Sequence, residues 1–235
     1  MEKSLETRLE EGARALHLAL PPDAIPRLLA YLAELLKWNA RVNLTAITEP
    51  AEAVEKHLLD SLAVTPDLQP LLTQPLPGTT GLLDLGAGAG LPGIPLAVAL
   101  PDLTATLVDA VEKKVAFMKS GAVKAGVAPR VKALHARAEG RPDSERIPRA
   151  HMVIARAFMD LAPFLALARH YLVPGGYAVA MLGRTPPAAD LERAGQGAGM
   201  GLFASRTFAL PFSGDPRGVA VFHVKQEGAS SPPTP

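Results

Sequence analysis

Asp84, Gly86, Gly88 and Gly90 fall on alternate positions of Leu82-Leu-Asp-Leu-Gly-Ala-Gly-Ala-Gly90, a spacing suited to ligand binding. The apolar run Leu82, Leu83 and Leu85 reads as a buried strand that delivers the glycines to a sheet edge. Leu91-Pro-Gly-Ile-Pro-Leu-Ala-Val-Ala-Leu100 then reads as a helix, with proline tolerated in its first turn. Strand, glycine loop and helix in that order bind a nucleotide-like ligand at the carboxyl edge of a parallel sheet. Glycine is needed because a Cβ would hold ligand atoms off the backbone, and because some turn positions require φ > 0. Leu103-Thr-Ala-Thr-Leu-Val-Asp109 alternates as a second strand. Its terminal Asp109 stands about 20 residues beyond the glycines, where a carboxylate accepts both ribose hydroxyls; the same carboxylate is also placed to cap the helix starting near Val111. An adenosine-containing cofactor is the expected ligand.

Two such cofactors compete. Gly88-x-Gly90-x-x-Gly93 matches the dinucleotide pattern formally, a weak signal alone. Three features favour S-adenosylmethionine (SAM). Asp84 precedes Gly86 by two residues, and Asp-x-Gly-x-Gly-x-Gly resembles the first motif of class I methyltransferases. A dinucleotide loop turns helix N-terminal amides toward a pyrophosphate, whereas Leu91 and Pro92 fill that turn here, and Pro92 has no N–H. Finally, a long helical stretch precedes the loop, while dinucleotide domains often begin with it.

Composition narrows the field. The chain has 235 residues, 48% hydrophobic, with 24 Lys and Arg against 23 Asp and Glu. That is enough to bury one full core and a small appendage. No apolar stretch reaches the ~18 residues that span a membrane, and the charged start MEKSLETRLEEGAR is unlike a secretory signal, so a cytoplasmic enzyme is expected. The sequence has no cysteine, which excludes a thiolate nucleophile, and with it cytosine-C5 methylation through a cysteine adduct. Cysteine-held zinc and iron–sulfur clusters are excluded too, and no metal site is expected.

The elements that must carry these residues follow from periodicity. Ser4–Leu20, Ala24–Asn39 and Ala51–Leu62 read as helices, and Thr65–Thr80 as a Pro- and Thr-rich linker. Strands near 82–86, 103–108, 131–135, 152–155 and 177–182 alternate with helices near 93–100, 111–126 and 161–172. That alternation predicts an α/β doubly wound sheet. Arg206–Leu210 and Val219–Lys225 read as a closing hairpin around Ser213-Gly-Asp-Pro-Arg-Gly218, and few dehydrogenases end that way. The expected organisation is a helical region over residues 1–65 packed on a class I methyltransferase domain over 81–226, with a disordered tail at 227–235. Its Rossmann-like sheet would be seven-stranded and mostly parallel, closed by the antiparallel hairpin. Residues 110–150 hold ten Lys and Arg against four Asp and Glu, a surface for phosphates or a solvated helix face.

These residues bring a family into view. The chain resembles the bacterial 16S rRNA guanine-N7 methyltransferases, also called glucose-inhibited division protein B, over roughly residues 20–225. The marks are Lys37-Trp38-Asn39-x-x-x-Asn43-Leu44-Thr45, His57-x-x-Asp60-Ser61-Leu62 and Leu91-Pro-Gly-Ile-Pro95. Glu112-Lys-Lys114, Phe117-Met118, Arg137-Ala-Glu139, Ala155-Arg-Ala157 and Pro174-Gly-Gly176 add to them. At Leu182-Gly183-Arg184 the family usually has a lysine before the glycine; Arg184 is the candidate to replace it. The resemblance implies SAM-dependent methylation of N7 of a guanine near the decoding region, on 16S rRNA or the small ribosomal subunit; a monomer is expected.

Roles follow on that reading. Gly86, Ala87 and Gly88 bring backbone against the methionine part of SAM, Leu91 walls the pocket, and Asp84 orients that end. Asp109 binds the ribose, Ala110 and Val111 flank the adenine, and Ala138 and Glu139 meet its edge. Arg156 stands at the mouth, for the methionine carboxylate or the RNA, or else in a structural ion pair. Lys37, Asn39, Arg41, Asn43, Lys56 and His57 form an RNA-facing rim, although capping bonds account for Asn43 and His57 equally well. Trp38 is expected in the core rather than as a stacking platform. No Asn/Asp-Pro-Pro-aromatic motif for exocyclic amines follows the fourth strand. An oxidoreductase lacks a visible hydride-transfer site, and a non-catalytic RNA-binding module leaves Asp84, the glycines and Asp109 without a purpose.

Overall fold

The computed structural model describes residues 4–72 and 78–224. Its N-terminal part contains α1 (Leu5–Ala15), α2 (Ala24–Val42), α3 (Pro50–Ala53), a π-helical turn over Val54–Leu59, α4 (Asp60–Leu62) and α5 (Thr65–Leu68). There follow β1 (Thr80–Leu85), α6 (Gly93–Ala99), β2 (Ala105–Asp109), α7 (Glu112–Lys124) and β3 (Val131–His135). Then come α8 (Pro142–Glu145), β4 (Ala150–Arg156), α9 (Leu161–Tyr171), β5 (Leu172–Leu182), α10 (Ala188–Gly197), β6 (Met200–Ala209) and β7 (Pro216–Val224).

The sheet has seven strands in the order β3-β2-β1-β4-β5-β7-β6. β1 to β5 pair in parallel, and β7 runs antiparallel to both β5 and β6. Every residue of β1 and of β2 is buried, as expected where helices cover both faces of a parallel sheet. One face carries α2, α6 and α7 with the N-terminal helices in a single core, from Leu9, Leu28 and Leu59 through Ile94, Phe117 and Leu107. On the opposite face α9 and α10 bury Phe164, Leu165, Tyr171 and Leu191 against Leu83, Val153 and Phe222.

The hairpin and the strand–helix alternation match expectation; some boundaries differ. α1 stops at Ala15 rather than near Leu20, because His17 takes φ 54° and turns the chain. The expected linker begins with helical turns instead: α5 has Pro66 in its first turn and buries Leu68, and a 3₁₀ turn follows over Gln69–Leu71. The expected tail at 227–235 lies outside the described residues. α10 is an unexpected helix, since Ala188-Ala-Asp-Leu-Glu-Arg-Ala-Gly-Gln-Gly197 is glycine-rich and buries only Leu191 and Gly195. β6 begins at Met200, well before Arg206; it is an edge strand with exposed residues and shows no apolar run.

Candidate active site

Gly86, Gly88 and Gly90 all take left-handed φ, of 68°, 59° and 80°. Alternating αL residues coil the loop tightly, and only glycine does this without a Cβ penalty. The crowding is steric as well: a Cβ on Gly86 would lie 2.1 Å from the Phe158 ring. Tyr31 of α2 steadies the loop from below, its buried hydroxyl donating to the Ala89 carbonyl at 2.6 Å.

Asp84 ends up beneath this loop because it lies on the central strand, fully buried. Its Oδ2 accepts the Gly93 N–H at 2.9 Å, at the start of α6. Its Oδ1 has no partner among the described residues. Burial pushes the carboxyl up to about 7, with the Gly93 N–H and Arg156 pulling the other way. Gly93 itself has no room for a side chain, since a Cβ would sit 2.2 Å from Leu107 and 3.0 Å from Asp84 Oδ2. Asp109, at the end of β2, is fixed by two amides: Gly88 N–H on Oδ2 at 3.0 Å and Val111 N–H on Oδ1 at 2.9 Å. Lys114 Nζ approaches Oδ2 to 3.6 Å. The carboxylate thus braces the glycine loop and the entry to α7 while still facing a cavity.

Two cavities meet at Gly86 and Ala157. One, of about 510 Å³, is lined by Asp109, Ala110, Lys114, Ala138, Glu139 and Phe158 among others. Val111 is not part of that lining, and the Glu139 carboxylate is ion-paired with Arg141. The other cavity, of about 440 Å³, takes Ala87, Gly88 and Leu91 on one side and Thr45, His57, Asp60, Arg156, Phe208 and Arg217 on the other. Together the two cavities offer the mixed polar and apolar lining that a nucleoside with a short polar chain needs. The loop backbone of Gly86, Ala87 and Gly88 and the carboxylate of Asp109 at the cavity edge fit the methionine and ribose groups of SAM, whereas Asp84, fully buried, lines neither cavity and acts from beneath the loop.

The second cavity is built by the N-terminal helices and the hairpin. Arg156 Nη1 donates to the Lys56 carbonyl at 2.9 Å and to Asp60 Oδ2 at 3.1 Å. Arg217 Nε reaches the other oxygen of Asp60 at 3.2 Å. One buried carboxylate therefore holds two guanidiniums together. His57 lies in the π-helical turn, its Nε2 2.8 Å from Thr45 Oγ1. Burial, then the positive charge of Arg156, push the imidazole down to about 4, so it is neutral at pH 7. Asn39 is buried and its Oδ1 accepts the Thr45 N–H at 2.9 Å. Asn43 takes the αL conformation that ends α2. These two asparagines thus shape the turn that sets Thr45 in place. Lys56 is salt-bridged to Glu52 at 3.0 Å and to Asp215 at 3.7 Å. Lys37, Arg41 and Arg184 are exposed, outside both cavity linings. Trp38 donates to Glu34 at 2.8 Å and packs edge-on against Phe117, as a core residue does.

A sequence model of the family described as rRNA small subunit methyltransferase G matches residues 24–196. This chain belongs to that family. It is 53% identical to ribosomal RNA small subunit methyltransferase G of Myxococcus xanthus, over 92% of this chain and 96% of the relative. To the protein of the same name from Anaeromyxobacter sp. it is 46% identical, over 94% and 98%. Among solved structures, an O-methyltransferase from Bacillus cereus in complex with SAH shares the fold, with TM-score 0.58, 17% identity and coverage of 94% of this chain and all of that one.

Within this family fold, several site residues carried no assigned role in the sequence. Thr45 and Asp60 stand inside the family marks, yet nothing local showed that Asp60 would bridge two arginines. Arg217 comes from the hairpin, remote in sequence from both Asp60 and Arg156. Glu55 was invisible for the same reason: its buried carboxylate accepts the Phe212 and Ser213 N–H groups, each at 2.8 Å, and so docks the hairpin turn on the helices.

Proposed function

We propose that this chain transfers a methyl group from SAM to N7 of a guanine in small-subunit rRNA, near the decoding region. The observation that carries it is the meeting of two cavities at Gly86, one fit for a nucleoside and one walled by paired guanidiniums. Bound SAM supplies an electrophilic methyl on a sulfonium.

The protein holds and aligns. The backbone of Gly86, Ala87 and Gly88 cradles the methionine part, Leu91 walls it, and Asp84 orients that end only indirectly, through the Gly93 N–H it holds beneath the loop. Asp109, already fixed by two amides, accepts from the ribose. Ala110, Ala138 and Glu139 border the adenine, with Val111 serving through its backbone N–H, which donates to the Asp109 carboxylate. Guanine N7 has an in-plane lone pair and no proton to lose, so no general base is required and alignment supplies the rate. A neutral His57 tied to Thr45 suits that chemistry, since it keeps the cavity wall rigid without competing for a proton. Arg156, turned toward Asp60, sets the shape of the mouth. Lys37, Arg41 and Arg184 remain candidate RNA contacts, while His57 lines the cavity wall and Asn39, Asn43 and Lys56 brace it through the Thr45 turn and the Arg156 guanidinium. The helices between Leu5 and Leu62 act as part of that wall on the domain that begins with β1. The described residues contain no helix long and apolar enough to cross a membrane; the proposed setting is a cytoplasmic monomer acting on the small subunit.

The test is transfer of labelled methyl from SAM to small-subunit rRNA lacking its native methyl groups, with the product nucleoside identified by mass spectrometry. The expected product is N7-methylguanosine, lost in Asp109→Ala and in Gly86→Val. SAM binding with unlabelled RNA, or a methyl on another atom, overturns the substrate assignment and leaves the cofactor site intact.

A further inference from the structure

Away from the cavities just described, a groove of about 610 Å³ runs along the outer edge of β3, between α7 and the Arg146–Pro148 segment. β3 ends the sheet, so one side of it is unpaired. Ala105 N–H donates to the Arg130 carbonyl at 2.9 Å and Ala136 N–H to the Asp109 carbonyl at 3.2 Å. Alternate residues of a parallel strand bond the same neighbour, so the N–H groups of Ala133 and His135 face outward from the open edge. The lining includes Lys119, Lys132 and Arg146 but no Asp or Glu. All three cations are exposed, and among the described residues none has an ion-pair partner. This is unlike Arg156 and Arg217, which share Asp60, or Lys56, which has two carboxylates. One loop further on, exposed Arg137 lines the Asp109 cavity, so the positive charge leads from the groove to the cofactor end.

We infer that this groove is a second rRNA contact, which grips the sugar–phosphate backbone flanking the methylated guanine. This rests on the rRNA reading above. Unpaired cations with outward amide donors recognise phosphate oxygens and carry no base readout. The groove has no aromatic side chain on which a base could stack, and therefore serves affinity rather than choice of nucleotide. Three cations that displace counterions condensed on the RNA make the contact strongly salt-dependent.

The experiment uses the full chain, unmethylated small-subunit rRNA, and the combined variant Lys119→Ala, Lys132→Ala, Arg146→Ala. Binding is measured from 50 to 300 mM salt, with KM and kcat for methyl transfer. The slope of log affinity against log salt should fall in magnitude by about 2–3, at ~0.7–0.9 per phosphate contact. KM at about 150 mM salt should rise roughly tenfold, with kcat and SAM affinity unchanged. Lys119→Arg with Lys132→Arg, Arg146 retained, should keep the wild-type slope. An unchanged slope and KM in the folded triple variant overturns the groove as an RNA contact while wild-type methylation stands. Unchanged RNA binding together with lost binding of a polyglutamate peptide overturns it in favour of an acidic protein segment. A wild-type protein that neither binds nor methylates rRNA overturns the substrate reading and this contact together.

Discussion

Two arginines line the cavity beside Gly86, and two lysines and an arginine line the β3 groove, in opposite electrostatic states. In the cavity, Arg156 and Arg217 are about one-fifth exposed and share Asp60, itself 9% exposed. In the groove, Lys119, Lys132 and Arg146 stand in solvent with no counter-charge in the lining. A charge withdrawn from water needs a partner or its desolvation is uncompensated, whereas an exposed one is stable alone and stays available to a ligand. The cavity cations are therefore scaffold first, and the groove cations are free to bind. Sequence treats all five residues alike; burial separates them.

The largest expected break of this comparison is Asp60→Ala. It strands two partly buried guanidiniums, and urea unfolding should show a loss of about 2–4 kcal/mol, with Arg217→Ala costing less because Arg156 retains its partner. The combined groove variant should do the opposite, leaving the melting temperature within about 2 °C, because exposed unpaired cations contribute little to stability.

Two buried titrating groups sharpen the contrast through pH. His57 has its folded-state pKa depressed to about 4 from 6.5, so the unfolded chain binds more protons in between. Its contribution is complete above about 6.5 and is lost as pH falls toward 4. Asp84 runs the other way: raised from 3.8 to about 7, its carboxyl contributes fully below 3.8 and loses that contribution as pH rises toward 7. The two windows overlap and oppose each other. Urea melts from pH 4.5 to 7 should therefore be flatter for the wild type than for either variant. His57→Gln should leave stability falling as pH rises, and Asp84→Asn should leave it rising, each by about 1–3 kcal/mol across the window. Equal slopes in all three proteins would contradict these assignments. The groove variant, which removes only exposed cations, should track the wild type.

The cofactor half was readable locally because its demands are local. Alternate glycines imply left-handed φ, and Gly86, Gly88 and Gly90 all adopt it. A polar residue in an apolar central strand implies a buried carboxylate, and Asp84 is one. The substrate half was less readable. His57 and Asp60 were visible as a spaced pair, but π-helical geometry over Val54–Leu59 and the pairing with Arg156 and Arg217 depend on contacts about 100 or more residues apart. α10 was missed because its stability comes from docking Leu191 and Gly195, not from an apolar stripe.

By itself, then, the sequence determined the strand–loop–helix order, the glycine loop, the carboxylates flanking it and the family. Each depends on backbone conformation or periodicity encoded within a few residues. Only the tertiary structure decided which charges are neutralised and which stay free. It alone placed Asp60 between Arg156 and Arg217, Glu55 under the hairpin turn, and three unpaired cations along the open edge of β3. Burial and ion pairing are properties of where the chain returns to itself in space, and no local pattern of residues records that.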